Sequence, residues 1–211
     1  MIKKRSDSNT CCFASSSRDH PIHLWDAYTG KLRCSYRTYN QSDELIAPYS
    51  LCFNLEGSRI IGGFNNSLRF FDVSLPGREI KTINAPKKSP NDLRGIYSTI
   101  NFNPDYSKLF AVGSYNNVVG IYNESDYSLI SLLHNKEGSG ISQVEFSPDG
   151  NYLYSASRKS EHIICWDIRN TGSILHKFPR LALSNQKYSF TIHPSGKYLI
   201  TGSQVCLFSV I

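Results

Sequence analysis

The sequence predicts an all-β fold, a WD-repeat β-propeller, on three observations. Four apolar runs end in the same kind of turn: 50–57 (SLCFNLEG), 99–105 (TINFNPD), 143–150 (QVEFSPDG) and 189–196 (SFTIHPSG). Their anchors Phe53, Phe102, Phe146 and Ile192 lie 49, 44 and 46 residues apart. A second marker, an aromatic followed by a polar residue, keeps the same period: Trp25-Asp26, Phe71-Asp72, Tyr122-Asn123, Trp166-Asp167 and a degraded Phe208-Ser209. Between the markers lie short runs rich in aromatic and β-branched residues, cut by Gly, Asn, Asp and Pro, with no sustained 3.6-residue period. Four short strands in a unit of about 40–45 residues make one blade.

The elements follow in order. Residues 1–9 form a basic, polar N-terminal segment, and the propeller is expected over 10–211. Residues 10–39 supply strands b, c and d of a partial blade, with the serine run Ser15-Ser16-Ser17 in strand b. Full blades are expected at about 48–84, 96–133 and 141–178, and a second partial blade at 188–211. The PDG-type turn joins strands a and b, and the WD-type dipeptide closes strand c. Asp19, Asn65 and Asn116, each six residues before its aromatic, sit in b–c turns, where such side chains bond their own backbone. The fourth unit carries one extra residue there. About four and a half blades result. A propeller closes only with whole blades, and an open one leaves edge strands exposed. The chain is therefore expected to be a fragment, an alternative product or an incomplete gene model of a seven-bladed propeller.

Composition narrows the class further. Hydrophobic residues at 40%, with 13 Tyr and 11 Phe, are enough for a packed core, so wholesale disorder is excluded. No apolar run approaches the roughly 18 residues of a membrane helix, and no membrane partner is expected. The polar start gives no sign of a secretory signal. Six cysteines without a C-x-x-C pair read as reduced, structural thiols of the cytosol or nucleus. Trp25 and Trp166 are expected to be core anchors, and Asp26 and Asp167 turn acceptors. His134 is expected in a buried hydrogen-bond chain of its blade. The six histidines lack ligand spacing, and no G-x-S-x-G, phosphate-cradling loop or H-E-x-x-H occurs. No catalytic residue, metal site or cofactor is expected, and the chain does not read as an enzyme.

Local spelling goes beyond the generic repeat. The stretch 15–44 (SSSRDHPIHLWDAYTGKLRCSYRTYNQSDE), PGR at 76–78, GSY at 113–115 and SRKSEHIICWDIR at 157–169 resemble the telomerase Cajal body protein family from about residue 13 to 203. The resemblance implies a propeller of about seven blades with a longer N-terminal region, so the first blade and the last two are not represented. It departs at Leu133, where a glycine precedes the histidine in the family, and at 204–211 (QVCLFSVI), which lacks the glycine-rich turn and WD ending. It implies an RNA-binding scaffold that directs small Cajal-body RNAs and telomerase RNA to Cajal bodies. Telomerase assembly and telomere maintenance would be supported, with ribonucleoprotein and other proteins as partners on the propeller faces. The location implied is nuclear, in Cajal bodies, with the cytoplasm as a second compartment.

Charge gives the candidate surface. In a propeller the b–c and d–a connections share one face, and here they carry ten cations against six carboxylates. The opposite connections carry six cations against nine carboxylates. A cationic face with aromatics and amides suits RNA, since cations neutralise phosphates while aromatic and Arg planes stack unpaired bases. The candidates are Arg18, His20, Tyr115, Asn116, Arg158, Lys159, Arg180 and Lys187. Without the resemblance the same cations read as solvated loop charge. The long basic loop 84–95 reads equally as a contact loop or as a mobile d–a connection. A protein–protein platform with no RNA contact stays open as the alternative, because propellers host unrelated functions on one frame.

Overall fold

The computed structural model describes residues 11–85, 93–170, 173–204 and the backbone of 209–210. Eighteen strands and no helix occur among these residues. The segment 1–9, most of the basic loop 84–95 and the Phe208 marker lie outside them. The chain divides into two compact units, Met1–Asn84 and Ala85–Ile211.

The first unit holds two antiparallel meanders. One is three-stranded: β1 (Cys12–Ser15), β2 (Ile22–Asp26) and β3 (Leu32–Tyr36). The other is four-stranded: β4 (Ser50–Phe53), β5 (Arg59–Gly63), β6 (Ser67–Asp72) and β7 (Lys81–Asn84). Alternation along β2 turns Ile22 and Leu24 inward, where they pack with Tyr36, Phe53, Ile60 and Phe71. Tyr36 is fully buried, and its phenol donates to the Val73 carbonyl at 2.8 Å, joining the two sheets. Of the run Ser15-Ser16-Ser17, only Ser15 lies in the strand; the chain has already left the ladder at Ser16.

The second unit holds three meanders. They are β8 (Tyr97–Phe102), β9 (Leu109–Ser114), β10 (Val118–Asn123) and β11 (Leu129–His134); then β12 (Ile141–Phe146), β13 (Tyr152–Ser157), β14 (His162–Asp167) and β15 (Ile174–Pro179); then β16 (Phe190–Ile192), β17 (Leu199–Thr201) and β18 (Ser209–Val210). In each four-stranded sheet the first strand is mostly buried and the last is more exposed, as in a blade whose first strand lies innermost. Successive first strands are joined by side chains. Ser98 Oγ donates to the Ile141 carbonyl, and the Gln143 amide exchanges two hydrogen bonds with Phe190, to its carbonyl at 2.7 Å and from its N–H at 3.1 Å. Gln143 thus imitates a peptide group of a neighbouring strand.

Both tryptophans use one geometry. The indole N–H of Trp25 donates to Ser15 Oγ, and that of Trp166 to Ser155 Oγ, each at 2.8 Å and each onto the preceding strand. Their burial differs. Trp166 is 2% exposed in a cluster with Leu133, Ile141, Val144, Phe146 and Ile164. Trp25 is only half-buried, stacked on Phe13 in a three-stranded sheet, so it is a partial anchor.

Candidate nucleic-acid interface

In an antiparallel meander the connections alternate between two ends, so b–c turns and d–a connections emerge together. In the second unit this end holds 115–117, 135–140, 158–161 and 180–189. Its frame is a buried polar relay. Asn117 adopts a left-handed conformation (φ 65°), which an asparagine tolerates, and its side-chain N–H₂ donates to the carbonyls of Asn135 at 2.9 Å and Glu137 at 2.6 Å. Asn135 donates to Ser157 Oγ at 2.7 Å, and Ser157 donates onward to Asn117 Oδ1 at 2.8 Å. Asn135 and Ser157 are buried, so each bond replaces a solvation that the fold removes. The relay binds the β8–β11 sheet to the β12–β15 sheet.

This corrects the expectation for His134. Leu133 faces the core, so alternation turns His134 out to solvent, and Asn135, one residue further on, enters the buried chain. Of the asparagine doublet Asn116-Asn117 the sequence singles out only the first. Asn116 lies exposed at the tip, while its neighbour carries the relay.

Around this frame the cations sort themselves. Arg158 follows Ser157, and its guanidinium lies 4.9 Å from the centre of the Tyr115 ring while Nη2 donates to the Tyr115 hydroxyl at 2.8 Å. Tyr115 remains 36% exposed. Two glycines permit this approach. Gly138 (φ 80°) passes so close to Arg158 that a Cβ there would meet its carbonyl at 2.6 Å, and a Cβ on Gly140 would meet the Tyr115 carbonyl at 2.8 Å. Lys159, in a left-handed turn (φ 50°), and Lys187 are exposed. The Lys187 ammonium is held below the ordinary lysine range, first by desolvation of the amine and then by the like charge of Arg158.

Arg180 departs from expectation. It is 5% exposed, its guanidinium donating to the carbonyls of Ser157 at 2.9 Å and Tyr188 at 3.3 Å, and burial pushes its pKa down to about 10. A cation so enclosed is a strut between loops and not a surface contact. Its apolar neighbours Pro179, Leu181 and Ala182 are the local sign.

In the first unit the b–c turn presents Arg18, Asp19 and His20 to solvent. Asp19 is left-handed (φ 62°) and lies 3.6 Å from Arg18, and the His20 ring donates to the Arg18 carbonyl at 2.8 Å. Asp26 and Asp167 serve c–d turns. Asp26 accepts the N–H groups of Tyr28 and Thr29 and pairs with Arg33, which together hold its carboxyl far below the usual range; the Arg169 side chain holds Asp167 at about 2. Among the described residues no three His, Cys, Asp or Glu side chains are grouped to hold a metal ion.

One ion-pair junction braces the same end. Glu137 accepts from Lys177 Nζ at 2.5 Å and from His162 Nδ1 at 2.8 Å, and its carboxyl is held below the usual range, Lys177 first and His162 after it. A depressed folded-state pKa contributes stability above the unfolded value of 4.5, and that contribution is lost as pH falls through the folded value. Glu137→Gln is therefore expected to flatten the acid limb of stability against pH. Urea midpoints measured from neutral pH down to about 3 would show this. An unaltered acid limb would contradict it.

Comparison with known proteins gives a consistent set of relatives. A family model described as a lactonase, a 7-bladed beta-propeller, matches residues 102–206. Telomerase Cajal body protein 1 of Mesocricetus auratus is 42% identical over 99% of this chain and 38% of its own length. The protein of the same name from Homo sapiens is 43% identical over 96% of this chain and 36% of its own length. Guanine nucleotide-binding protein negative regulator 1 of Schizosaccharomyces pombe is 36% identical over 82% of this chain and 45% of its own length. The chain spans less than half the length of these curated relatives.

Proposed function

On the premise that this chain belongs by sequence to the telomerase Cajal body protein family over nearly all its length, we propose that it is a non-enzymatic scaffold that binds RNA through its loop end. Its RNA would be small Cajal-body RNA and telomerase RNA, bound in the nucleus and carried to Cajal bodies in support of telomerase assembly and telomere maintenance. The observation that carries this reading is the group of Tyr115, Arg158, Lys159 and Lys187. The three cations have no carboxylate within ion-pair distance among the described residues, whereas Arg33, Arg69 and Arg169 are each paired. Unpaired cations beside an exposed aromatic are what a single-stranded nucleic acid needs: neutralised phosphates and a plane for an unpaired base. Arg18 and His20 offer a solvent-exposed pair of the same chemistry in the first unit.

Affinity of the chain for single-stranded RNA is expected to fall linearly in log–log form with salt, by about 0.7 per neutralised phosphate. Arg158→Glu combined with Lys159→Glu should make the line shallower. A mobility-shift titration across a salt series is the measurement. Binding indifferent to salt, or no binding, would reject the reading.

A protein-docking platform is the second reading, favoured by two exposed leucines, Leu181 and Leu183, at 44% and 50%, on the same d–a connection. Crosslinking followed by immunoprecipitation separates the two: recovered RNA supports the first, recovered protein without RNA the second.

A further inference from the structure

We propose that Tyr115, Arg158 and Lys187, held in place by Arg180, form a subsite for one nucleotide of single-stranded RNA, with a phosphodiester between the two cations and an unpaired base on the Tyr115–Arg158 stack. This rests on the RNA-binding reading above and assigns where one phosphate and one base are held.

Two like charges on separate loops repel, and among the described residues no carboxylate lies within ion-pair distance of Arg158 or Lys187. Arg180 supplies the restraint. The two carbonyls it binds belong to Ser157 and Tyr188, the residues that adjoin Arg158 and Lys187 in the chain. One buried guanidinium thereby ties the b–c turn of the fourth sheet to the connection that follows it. The cost of crowding two cations is met in folding, so an arriving anion finds them already placed. The Lys187 pKa is lowered first by desolvation and then by the Arg158 charge. Arg158 is further fixed by the Tyr115 hydroxyl, and its Nε is buried without a hydrogen-bond partner in the protein. A phosphate is a natural acceptor for a guanidinium so restrained, because the planar fork offers donors at fixed spacing. The Tyr115 ring distinguishes RNA from an acidic peptide: a base uses the aromatic and guanidinium planes, while a carboxylate or phosphorylated side chain needs only the cations.

The test is fluorescence anisotropy of the full chain with a labelled, mixed-sequence oligoribonucleotide across a salt series. Arg158→Gln and Lys187→Gln should each lower the slope of log affinity against log salt, and together by about 0.7, the share of one phosphate. Tyr115→Ala should weaken binding by about tenfold at fixed salt, while Tyr115→Phe, which keeps the ring and loses only the bond to Arg158, should weaken it less. Arg180→Lys, whose single ammonium cannot span both carbonyls, should weaken binding and raise the Lys187 pKa, followed by NMR of the lysine side chain with cooperative unfolding checked alongside. If the chain binds RNA but neither glutamine variant changes the slope, the subsite is wrong and the RNA reading stands. If the unaltered chain binds no RNA, both fall. Equal affinity of Tyr115→Ala and the original for RNA, with an acidic phosphopeptide competing fully, overturns the subsite in favour of a protein ligand. Should Arg180→Lys fail to fold, the other four variants decide the matter.

Discussion

Replacing Trp166 with alanine is expected to destabilise the second unit by about 3–5 kcal/mol, the usual range for deleting a large buried aromatic. The indole is 2% exposed and touches a cluster that draws on both four-stranded sheets of its unit, from Leu133 and Ile141 to Ile164. Its removal opens a cavity that rigid strands fill only in part. It also leaves the Ser155 hydroxyl, fully buried, without its indole donor. Trp166→Phe separates the two effects, keeping most of the ring and losing the N–H, at an expected cost of about 1–3 kcal/mol. Guanidinium unfolding followed by far-ultraviolet circular dichroism would give both numbers. A loss below about 1 kcal/mol for the alanine variant would mean that the site collapses and is not a rigid anchor. Against a total stability of roughly 5–15 kcal/mol, the expected loss threatens folding itself.

The second large effect is expected at Gly138. Its φ of 80° costs an L-residue about 1–2 kcal/mol. A Cβ would also lie 2.6 Å from the Arg158 carbonyl, which accepts from the Ser139 N–H, and 2.7 Å from Ser157 Cβ, whose hydroxyl belongs to the polar relay. Overpacking of that kind adds about 1–3 kcal/mol, so Gly138→Ala should lose about 2–5 kcal/mol. Gly30 is the internal comparison: its φ is 67° and a Cβ there would meet nothing within 4 Å, so Gly30→Ala should cost only the backbone contribution. Similar losses at the two positions would show that backbone strain alone decides, and that the contact with Arg158 is unimportant. Because Arg158 moves if Gly138 gains a side chain, the same variant should also weaken RNA binding in the salt-series assay.

Two repeat markers make the fold legible in the sequence. An anchor such as Phe146 and an aromatic such as Trp166 recur because each blade must bury the same faces, and burial leaves a periodic trace in composition. The b–c turns carry their left-handed residues at Asn66 and Asn117, one position after the asparagines expected there. The candidate site is legible only in its exposed half. Arg158, Lys159, Lys187 and Tyr115 stand on turns whose position follows from strand order. Arg180 escapes that reading because it lies one residue beyond the strand end, where alternation no longer constrains the side chain, whereas His134 follows the alternation set by Leu133. Asn135 and Ser157 escape it for a different reason. Their role depends on meeting Asn117, 18 and 40 residues away in sequence, a coincidence of tertiary structure that no local pattern encodes.

The relay among Asn117, Asn135 and Ser157 has a consequence for biosynthesis. A ribosome delivers Asn117 first and Ser157 forty residues later, so the earlier sheet emerges with its end still hydrated and seals only when its successor has been translated. Nascent sheets therefore mature one step behind elongation, and a pause within residues 141–157 prolongs an interval in which a partly finished surface is open to chaperones or to a wrong neighbour.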